Sequence, residues 1–267
     1  MREFGTLGKR KTVLGMVHLP PLPGTPFHED GSLGQIIDTA VGSALALAEG
    51  GADGCLVQTV DRVYHPGEDS DPARTAAMAL VVSAIAQATS DDFQIGVHLM
   101  RNALKASLAV AKVAGGSYIR ASALVGATLT PHGMVEGHPL EVMEYQAKIN
   151  AGRIKIIAEV ESMHFRWLGG DKPVAEVARA AVSSGADAVA LADKNETRVL
   201  EMITEIREAV PGAPVILAGY TTHQNAARLL AAADGAFVGR CLESGGWGGQ
   251  VDAALVRAYM DIVGGLD

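Results

Sequence analysis

Apolar and polar positions along the chain fall into a repeating unit: a short β-branched run, a turn, then a longer alanine-rich amphipathic stretch. The short runs predict strands at Val13–Leu19, Gly54–Val60, Ile95–Met100, Ser117–Leu124, Ile156–Ser162, Ala188–Lys194, Pro214–Tyr220 and Gly235–Cys241. They are nearly continuous in apolar residues, as suits parallel strands covered on both faces. The stretches between them carry helix signals. Ser32 precedes a helix through Glu49 that Gly50-Gly51 ends, and Asp71-Pro72 supplies an N-cap and an N1 proline for a helix to Ala88. Further helices are expected at Ala103–Ala114, Pro139–Asn150, Pro173–Ser184, Glu196–Val210, Thr222–Ala232 and Asp252–Ile262. Gly51-Ala52-Asp53-Gly54, Gly185-Ala186-Asp187-Ala188 and Ala233-Asp234-Gly235-Ala236 echo one another, each joining a helix to the next strand. Glycine there can take the left-handed helix C-cap, and aspartate can satisfy local backbone donors in the turn. Eight β/α units in 267 residues predict an α/β protein, a closed (β/α)8 TIM barrel forming one domain over 1–267. The rival, a doubly wound open sheet, would place a glycine-rich phosphate loop after the first strand. Gly5-Thr6-Leu7-Gly8 precedes that strand instead.

Composition narrows the partners. Hydrophobic residues make up 48% and charged ones 19%, enough apolar material for a large core, which excludes disorder over most of the length. The formal charge of −8 argues against nucleic acid, which wants a basic face to replace phosphate counterions. A small phosphorylated ligand needs only one local pocket of donors and stays open. The two cysteines, Cys55 and Cys241, build neither a disulfide framework nor a zinc cluster and are expected as small buried hydrophobes. The basic N-terminal residues precede an apolar run too short for a secretion signal, and the most apolar window, Ala76 to Ala88, is too short for a membrane span. A soluble, cytoplasmic protein is expected.

In such a barrel the chemistry lies beyond the C-terminal ends of the strands. The first strand ends at His18, before Pro20-Pro21, prolines that cannot extend a ladder, so His18 is expected at the barrel mouth. Other polar groups collect at the same end: His98, Arg101 and Asn102 after the third strand, Arg120 on the fourth, and Glu159 and Glu161 on the fifth, with His164 and Arg166 just after. Buried charges are costly unless paired or used, so this convergence marks either an active site or an ion network closing the barrel top. Glu159 and Glu161 alternate and point to one side, so one could have a raised pKa and act as an acid or base. With His18 and His98 they are alternatively readable as ligands of a divalent metal, though no tight metal motif is present and no cofactor is otherwise implied. Lys194, next to Asp193, is readable as a Schiff-base lysine, as a fixed cation on a phosphate or enolate, or as half of a structural ion pair. Lys194, Glu159, Glu161, His18 and Asp193 form the candidate catalytic set. His98, Arg101, Asn102, Arg120, Gly219, Thr221, Thr222, Gly239 and Arg240 form the candidate ligand-binding set. Gly219, Thr221 and Thr222 precede a helix, and Gly239-Arg240 end the last strand, where this fold commonly holds phosphate. The alternative there is a pair of plain glycine turns.

The run Gly15-Met16-Val17-His18-Leu19-Pro20-Pro21-Leu22-Pro23-Gly24-Thr25-Pro26 resembles the opening strand of the BtpA/SgcQ family. The likeness continues through Gly51-Ala52-Asp53-Gly54, Arg101-Asn102-Ala103-Leu104, Tyr118-Ile119-Arg120, Gly133-Met134-Val135-Glu136-Gly137, Asn225-Ala226-Ala227 and Ala233-Asp234-Gly235-Ala236-Phe237-Val238-Gly239. It implies a TIM barrel of the ribulose-phosphate-binding kind, a name tied to photosystem I biogenesis in photosynthetic members, and sugar catabolism in others. The chain departs from the family pattern at Asp193-Lys194-Asn195-Glu196-Thr197, at Gly239-Arg240-Cys241, and at Tyr64-His65-Pro66-Gly67. Three functions follow as expectations. The first is an isomerase or lyase acting on a small phosphorylated sugar or related carbonyl compound, expected as a homo-oligomer. The second is a non-catalytic assembly factor, which should show an exposed apolar patch. The third is a nucleotide- or base-directed hydrolase, which needs a stacking aromatic such as Tyr64, Phe165 or Trp167.

Overall fold

The computed structural model describes residues 2–246 and 248–266; Met1, Trp247 and Asp267, within the bounds expected for the domain, lie outside the described residues. The chain runs β1 (Thr12–Leu19), α1 (Leu33–Glu49), β2 (Gly54–Thr59), α2 (Pro72–Ala88), β3 (Gln94–His98), α3 (Leu104–Ala114), β4 (Tyr118–Ala121), β5 (Ala127–Thr130), β6 (Gly133–Glu136), α4 (Pro139–Lys148), β7 (Lys155–Glu161), α5 (Val174–Ser183), β8 (Ala188–Leu191), α6 (Glu196–Ala209), β9 (Val215–Leu217), α7 (Ala226–Ala232), β10 (Gly235–Val238), a 3₁₀ turn (Arg240–Leu242) and α8 (Ala253–Gly264). The parallel strands close a barrel in the order β1-β10-β9-β8-β7-β4-β3-β2. This is the (β/α)8 TIM barrel. Among the described residues, no helix is long and apolar enough to cross a membrane.

The near-continuous apolar strands have two destinations. On β1, Leu14 and Met16 point into the barrel with Leu56, Tyr118, Ile157, Ala188, Ala190, Ile216 and Phe237. Val13, Val17 and Leu19 point outward and pack under the helices. Successive strand residues face opposite sides, so burial on both faces erases the polar alternation. β3 contributes Gly96 to the interior because Tyr118 fills its space: a Cβ there would lie 2.2 Å from the Tyr118 ring. The Tyr118 hydroxyl donates to the Cys55 carbonyl at 2.8 Å, satisfying the one polar atom of that ring.

The three echoed aspartates reach further than a local turn. Each exchanges two hydrogen bonds with the neighbouring strand. Asp53 N donates to Val13 O at 3.0 Å while its Oδ2 accepts from Val13 N at 2.7 Å. Asp187 does the same with Ile156, at 2.8 and 2.9 Å. Asp234 does it with Val215, at 2.9 and 2.8 Å. Where each parallel ladder starts, a strand amide would lack an acceptor, and the carboxylate supplies it. Two features were not expected from the sequence. The fourth barrel strand stops at Ala121, and an antiparallel hairpin, β5–β6, follows it with Leu129 paired to Met134. The hairpin stands at the C-terminal end of the barrel: Thr128 Oγ1 accepts from Arg166 N at 3.1 Å, and His132 lies edge-on to Tyr64 with ring centroids 5.1 Å apart.

Candidate functional site

The polar groups at the strand ends continue the inward-facing rows one step above the apolar layer. Arg120, above Tyr118, meets Glu159, above Ile157. Its Nε donates to Glu159 Oε1 at 2.8 Å, and Nη2 lies 2.6 Å from the same oxygen. Both side chains are buried, and the guanidinium lies 5.0 Å over the Phe237 ring. The Ser162 hydroxyl donates to Glu159 Oε2 and accepts from the amides of His164 and Phe165 at 2.9 and 3.1 Å. The ion pair therefore fixes the start of the β7–α5 loop, which carries His164. On the neighbouring strands His98 Nδ1 lies 2.9 Å from Gln58 Oε1, and its Nε2 lies 3.0 Å from Ser122 Oγ. Burial, then the nearby Arg120, push His98 well below its usual range and keep it neutral. His98 occupies the carbonyl end of Gln58, so the amide nitrogen is the group that Gln58 offers to the space above.

That space is a cavity of about 770 Å³, bounded by His18, Gln58 and Arg120, by His164, and by the loops after β9 and β10. Gly219 (φ +145) and Tyr220 (φ +59) reverse the chain immediately after β9. Among the described residues, the amides of Gly219, Tyr220 and Thr221 have no acceptor. The Thr222 amide donates to Asn225 Oδ1 at 2.7 Å, and Asn225 Nδ2 donates to Tyr220 O at 3.0 Å and to Glu196 Oε1 at 2.9 Å, bracing the turn. The helix expected from Thr222 starts at Ala226, so a braced turn, not a helix end, presents these amides. Beside them, at the end of the neighbouring strand, Gly239 keeps the wall open: a Cβ there would come within 3.3 Å of Met16 and 3.6 Å of His18. Arg240 follows on the rim, and Cys241, its thiol raised by burial to about 11, remains protonated at neutral pH.

The expected site residues divide by position. His18, Arg120, Gly219, Thr221, Thr222, Gly239 and Arg240 line the cavity. His18 Nδ1 also lies 3.5 Å from Glu243, a buried carboxylate on the segment after the 3₁₀ turn. Glu159 and His98 stand directly behind this lining. Glu161 sits past a register shift in β7, half-buried, 3.5 Å from Arg166 Nε, with its pKa raised by burial. Asp193 accepts from the Asn195 amide at 2.7 Å, and Lys194 is exposed, outside the cavity wall. Asn102 is buried against backbone: its side chain donates to Ala123 O and Glu136 O at 2.8 and 3.1 Å and accepts from Ala123 N at 3.0 Å. It ties the β3–α3 loop to β4 and the hairpin. Among the described residues, no three His, Cys, Asp or Glu side chains gather as metal ligands. The alternative reading of His18, His98, Glu159 and Glu161 as a metal quartet is not met, because Gln58, Ser122, Arg120 and Arg166 engage the last three separately. Of the stacking candidates, Phe165 is buried, Tyr64 packs on Arg101 and His132, and Trp167 lies under Lys172.

His164 and Gln58 carry more of the wall than their sequence context suggests. The signal for His164 was its place three residues past Glu161. Nothing local marks Glu243, which reaches His18 only because the 3₁₀ turn redirects the chain. Burial, with Arg120 and Arg101 adding to it against an opposing Glu159, lowers the His164 pKa below its usual range. The mouth thus holds an uncharged imidazole, a fixed guanidinium and a set of open amides around one space.

A model of the BtpA family matches residues 9–265. The chain is 30% identical to Photosystem I biogenesis protein BtpA from Synechocystis sp. over 264 residues, 98% of this chain and 91% of that protein. It is 33% identical over 253 residues to an uncharacterized protein of Archaeoglobus fulgidus, covering 92% and 96% of the two chains. Among solved structures it is similar in fold to thiamine phosphate pyrophosphorylase from Pyrococcus furiosus, with a TM-score of 0.59 at 20% identity over 97% of this chain and 98% of that one. With the family model spanning almost every residue and a relative of that name 30% identical over 98% of it, the chain belongs to the BtpA family.

Proposed function

We propose that the protein is an enzyme acting on a small phosphorylated sugar or a related carbonyl compound, by isomerisation or by a lyase-type bond cleavage. One juxtaposition carries this reading. The strand order sets β9 and β10 across the barrel from β3 and β4. One cavity therefore has open amides and Arg240 on one side, and Arg120 with the His164 loop on the other. A phosphate held by the Gly219–Thr221 amides and Arg240 directs the rest of the ligand toward Arg120. A neutral His164 can accept, at the Nδ1 that faces Arg101 at 3.4 Å, a proton from the carbon beside a carbonyl, and Arg120, held rigid by Glu159, stabilises the oxyanion that forms. Both reaction types share that step. His18, backed by Glu243, stands on a third wall as the partner for a second proton transfer. The phosphate-named fold relative is in keeping with this reading.

The test is a thermal-shift screen with phosphorylated sugars and their unphosphorylated counterparts, followed by deuterium wash-in at carbon for each compound that stabilises the protein. Phosphorylated compounds alone should raise Tm, and Arg120→Met should slow exchange by about 10²–10³-fold, the usual cost of removing an oxyanion donor. No stabilisation by any phosphoester overturns the reading. The assembly-factor alternative has one observation in its favour, the exposed apolar side chains of Leu129, Met134 and Met163 near the mouth. An enzyme keeps its turnover when Leu129→Ser and Met134→Ser are combined, whereas a factor that docks through the hairpin loses its role.

A further inference from the structure

Four arginines with buried or half-buried side chains can be compared. Arg2 gives its guanidinium to backbone carbonyls, with Phe93, Ala86, Thr89 and Ser90 accepting at 2.8–2.9 Å. Arg74 is held by Asp61 at 2.7 Å, by Thr59 Oγ1 and by Met100 O. Arg120 has Glu159. Arg101 is the exception. Its Nη1 lies 3.4 Å from His164 Nδ1 and its face covers the Tyr64 ring at 5.2 Å; its Nε is buried with no acceptor, as is that of Arg74, but among the described residues Arg101 is the one of the four with neither a carboxylate nor a backbone carbonyl paired to it. Desolvating a guanidinium without an anion is costly, so the missing partner is expected to come from outside the protein.

The surroundings indicate what that partner is. Arg101 lines a side pocket of about 130 Å³ together with His164, Arg166 and the Thr128–Pro131 strand of the hairpin. Met163 and His164 line this pocket and the main cavity alike, so the two adjoin. β3 stands across the barrel from β9, which places the pocket opposite the open amides. Tyr64 covers one face of the guanidinium and leaves its edge as the binding surface, which suits a planar, bidentate acceptor. Glu159 acts electrostatically on Arg101 and Glu161 lies 3.5 Å from Arg166 Nε, and this negative charge favours a singly charged anion over a dianion. We propose that Arg101, with Arg166 and His164, forms a carboxylate subsite, so that the ligand is a phosphorylated sugar acid with its carboxylate at the end remote from the phosphate. The inference rests on the phosphate reading of the β9 and β10 loops.

Calorimetric titration tests it with open-chain alditols of four to six carbons phosphorylated at one end, the matching phosphorylated aldonates, and the unphosphorylated aldonates. A phosphorylated aldonate should bind at least about tenfold tighter than the alditol phosphate of equal length, as expected for a bidentate charge-assisted pair. Arg101→Met should erase that preference, and Arg101→Lys should restore part of it, which guards against loss of folding in the first variant. Equal affinity of the two phosphorylated series for the wild type overturns the carboxylate subsite while leaving the phosphate reading intact. A preference that survives in Arg101→Met overturns it as well. If no phosphoester binds, the phosphate reading has failed, and the unphosphorylated aldonates decide alone: saturable binding lost in Arg101→Met upholds the subsite, and absence of binding overturns it.

Discussion

The two ends of the barrel treat the same kinds of polar group in opposite ways. At the N-terminal end, Asp53, Asp187 and Asp234 each meet a strand amide within 2.9 Å, and Arg2 is held by carbonyls. Phe4 fills the floor against Tyr118, with ring centroids 5.3 Å apart. At the C-terminal end, Gly219, Tyr220 and Thr221 present amides without acceptors among the described residues, and Arg101 has a buried Nε without one. Unmade hydrogen bonds in shielded places cost stability, and the backbone amides that carboxylates satisfy at one end are left open at the other. The contrast separates a face built to hold the barrel closed from a face built to receive something.

The Glu159–Arg120 pair is the point at which the mouth behaves like the base, so breaking it should have the largest effect. Glu159→Ala leaves a buried guanidinium without its anion, and a loss of about 3–5 kcal/mol is expected. Urea unfolding would read it as a lower midpoint at unchanged slope. A loss below about 1 kcal/mol would mean that solvent already serves Arg120. At the base, Asp234→Ala strands the Val215 amide and frees Arg207, and about 1–3 kcal/mol should be lost. Ligand-induced stabilisation should stay as in the wild type. A changed ligand response with unchanged stability would dissolve the distinction between the ends.

Acid should find the mouth before the base. His98 is buried neutral, its pKa held well below the ordinary 6.5 by burial and by Arg120. Below about pH 6.5 the unfolded chain binds a proton there that the folded chain refuses, so stability falls as pH falls. The slope is about 1.4 kcal/mol per pH unit for each such group. Above that pH the contribution is flat. His164, lowered in the same direction, adds to the slope. His98→Gln should flatten the profile between pH 6.5 and 5, measured as unfolding midpoints at each pH. An unchanged profile would assign the acid sensitivity elsewhere.

Much of the architecture was legible because hydrophobic periodicity reports burial. All eight barrel strands and their helices fall within a few residues of the expected positions, including the Asp71 cap, which accepts from Ala73 N at 2.8 Å. The β5–β6 hairpin was not, because its strands are short and half-exposed and lie where the fourth strand seemed to run on. The echoed Gly-Ala-Asp turns were visible, but their reach was not: the acceptor each aspartate supplies belongs to a strand distant in sequence. At the site, strand-end position put His18, Arg120 and Glu159 at the barrel mouth, and the structure sets all three on inward-facing rows. It could not say that Asn102 would be consumed by backbone, or that a register shift would carry Glu161 toward Arg166.

The smallest effect should come from Lys194, a residue that the sequence placed in the candidate catalytic set. Its position after β8 puts it at the correct end of the barrel, and a lysine there suggests either a Schiff base or a fixed cation. Both roles require shielding, since a lysine nucleophile needs a depressed pKa and a cation in bulk water stabilises little developing charge. The side chain is instead exposed, beside an Asp193 that is occupied with the Asn195 amide. The chain end of β8 turns outward because Asn195 caps α6 through the amides of Thr197 and Arg198, which directs the loop away from the cavity. Lys194→Ala should therefore change stability by no more than about 0.5 kcal/mol, as for an ordinary surface position. Affinity for phosphorylated ligands should shift less than about twofold. Borohydride reduction with a carbonyl substrate should leave Lys194 unmodified when the digested protein is weighed by mass spectrometry. An adduct on Lys194 would mean that the β8–α6 loop folds inward on binding, and the boundary between mouth and surface would then have to be redrawn to include it.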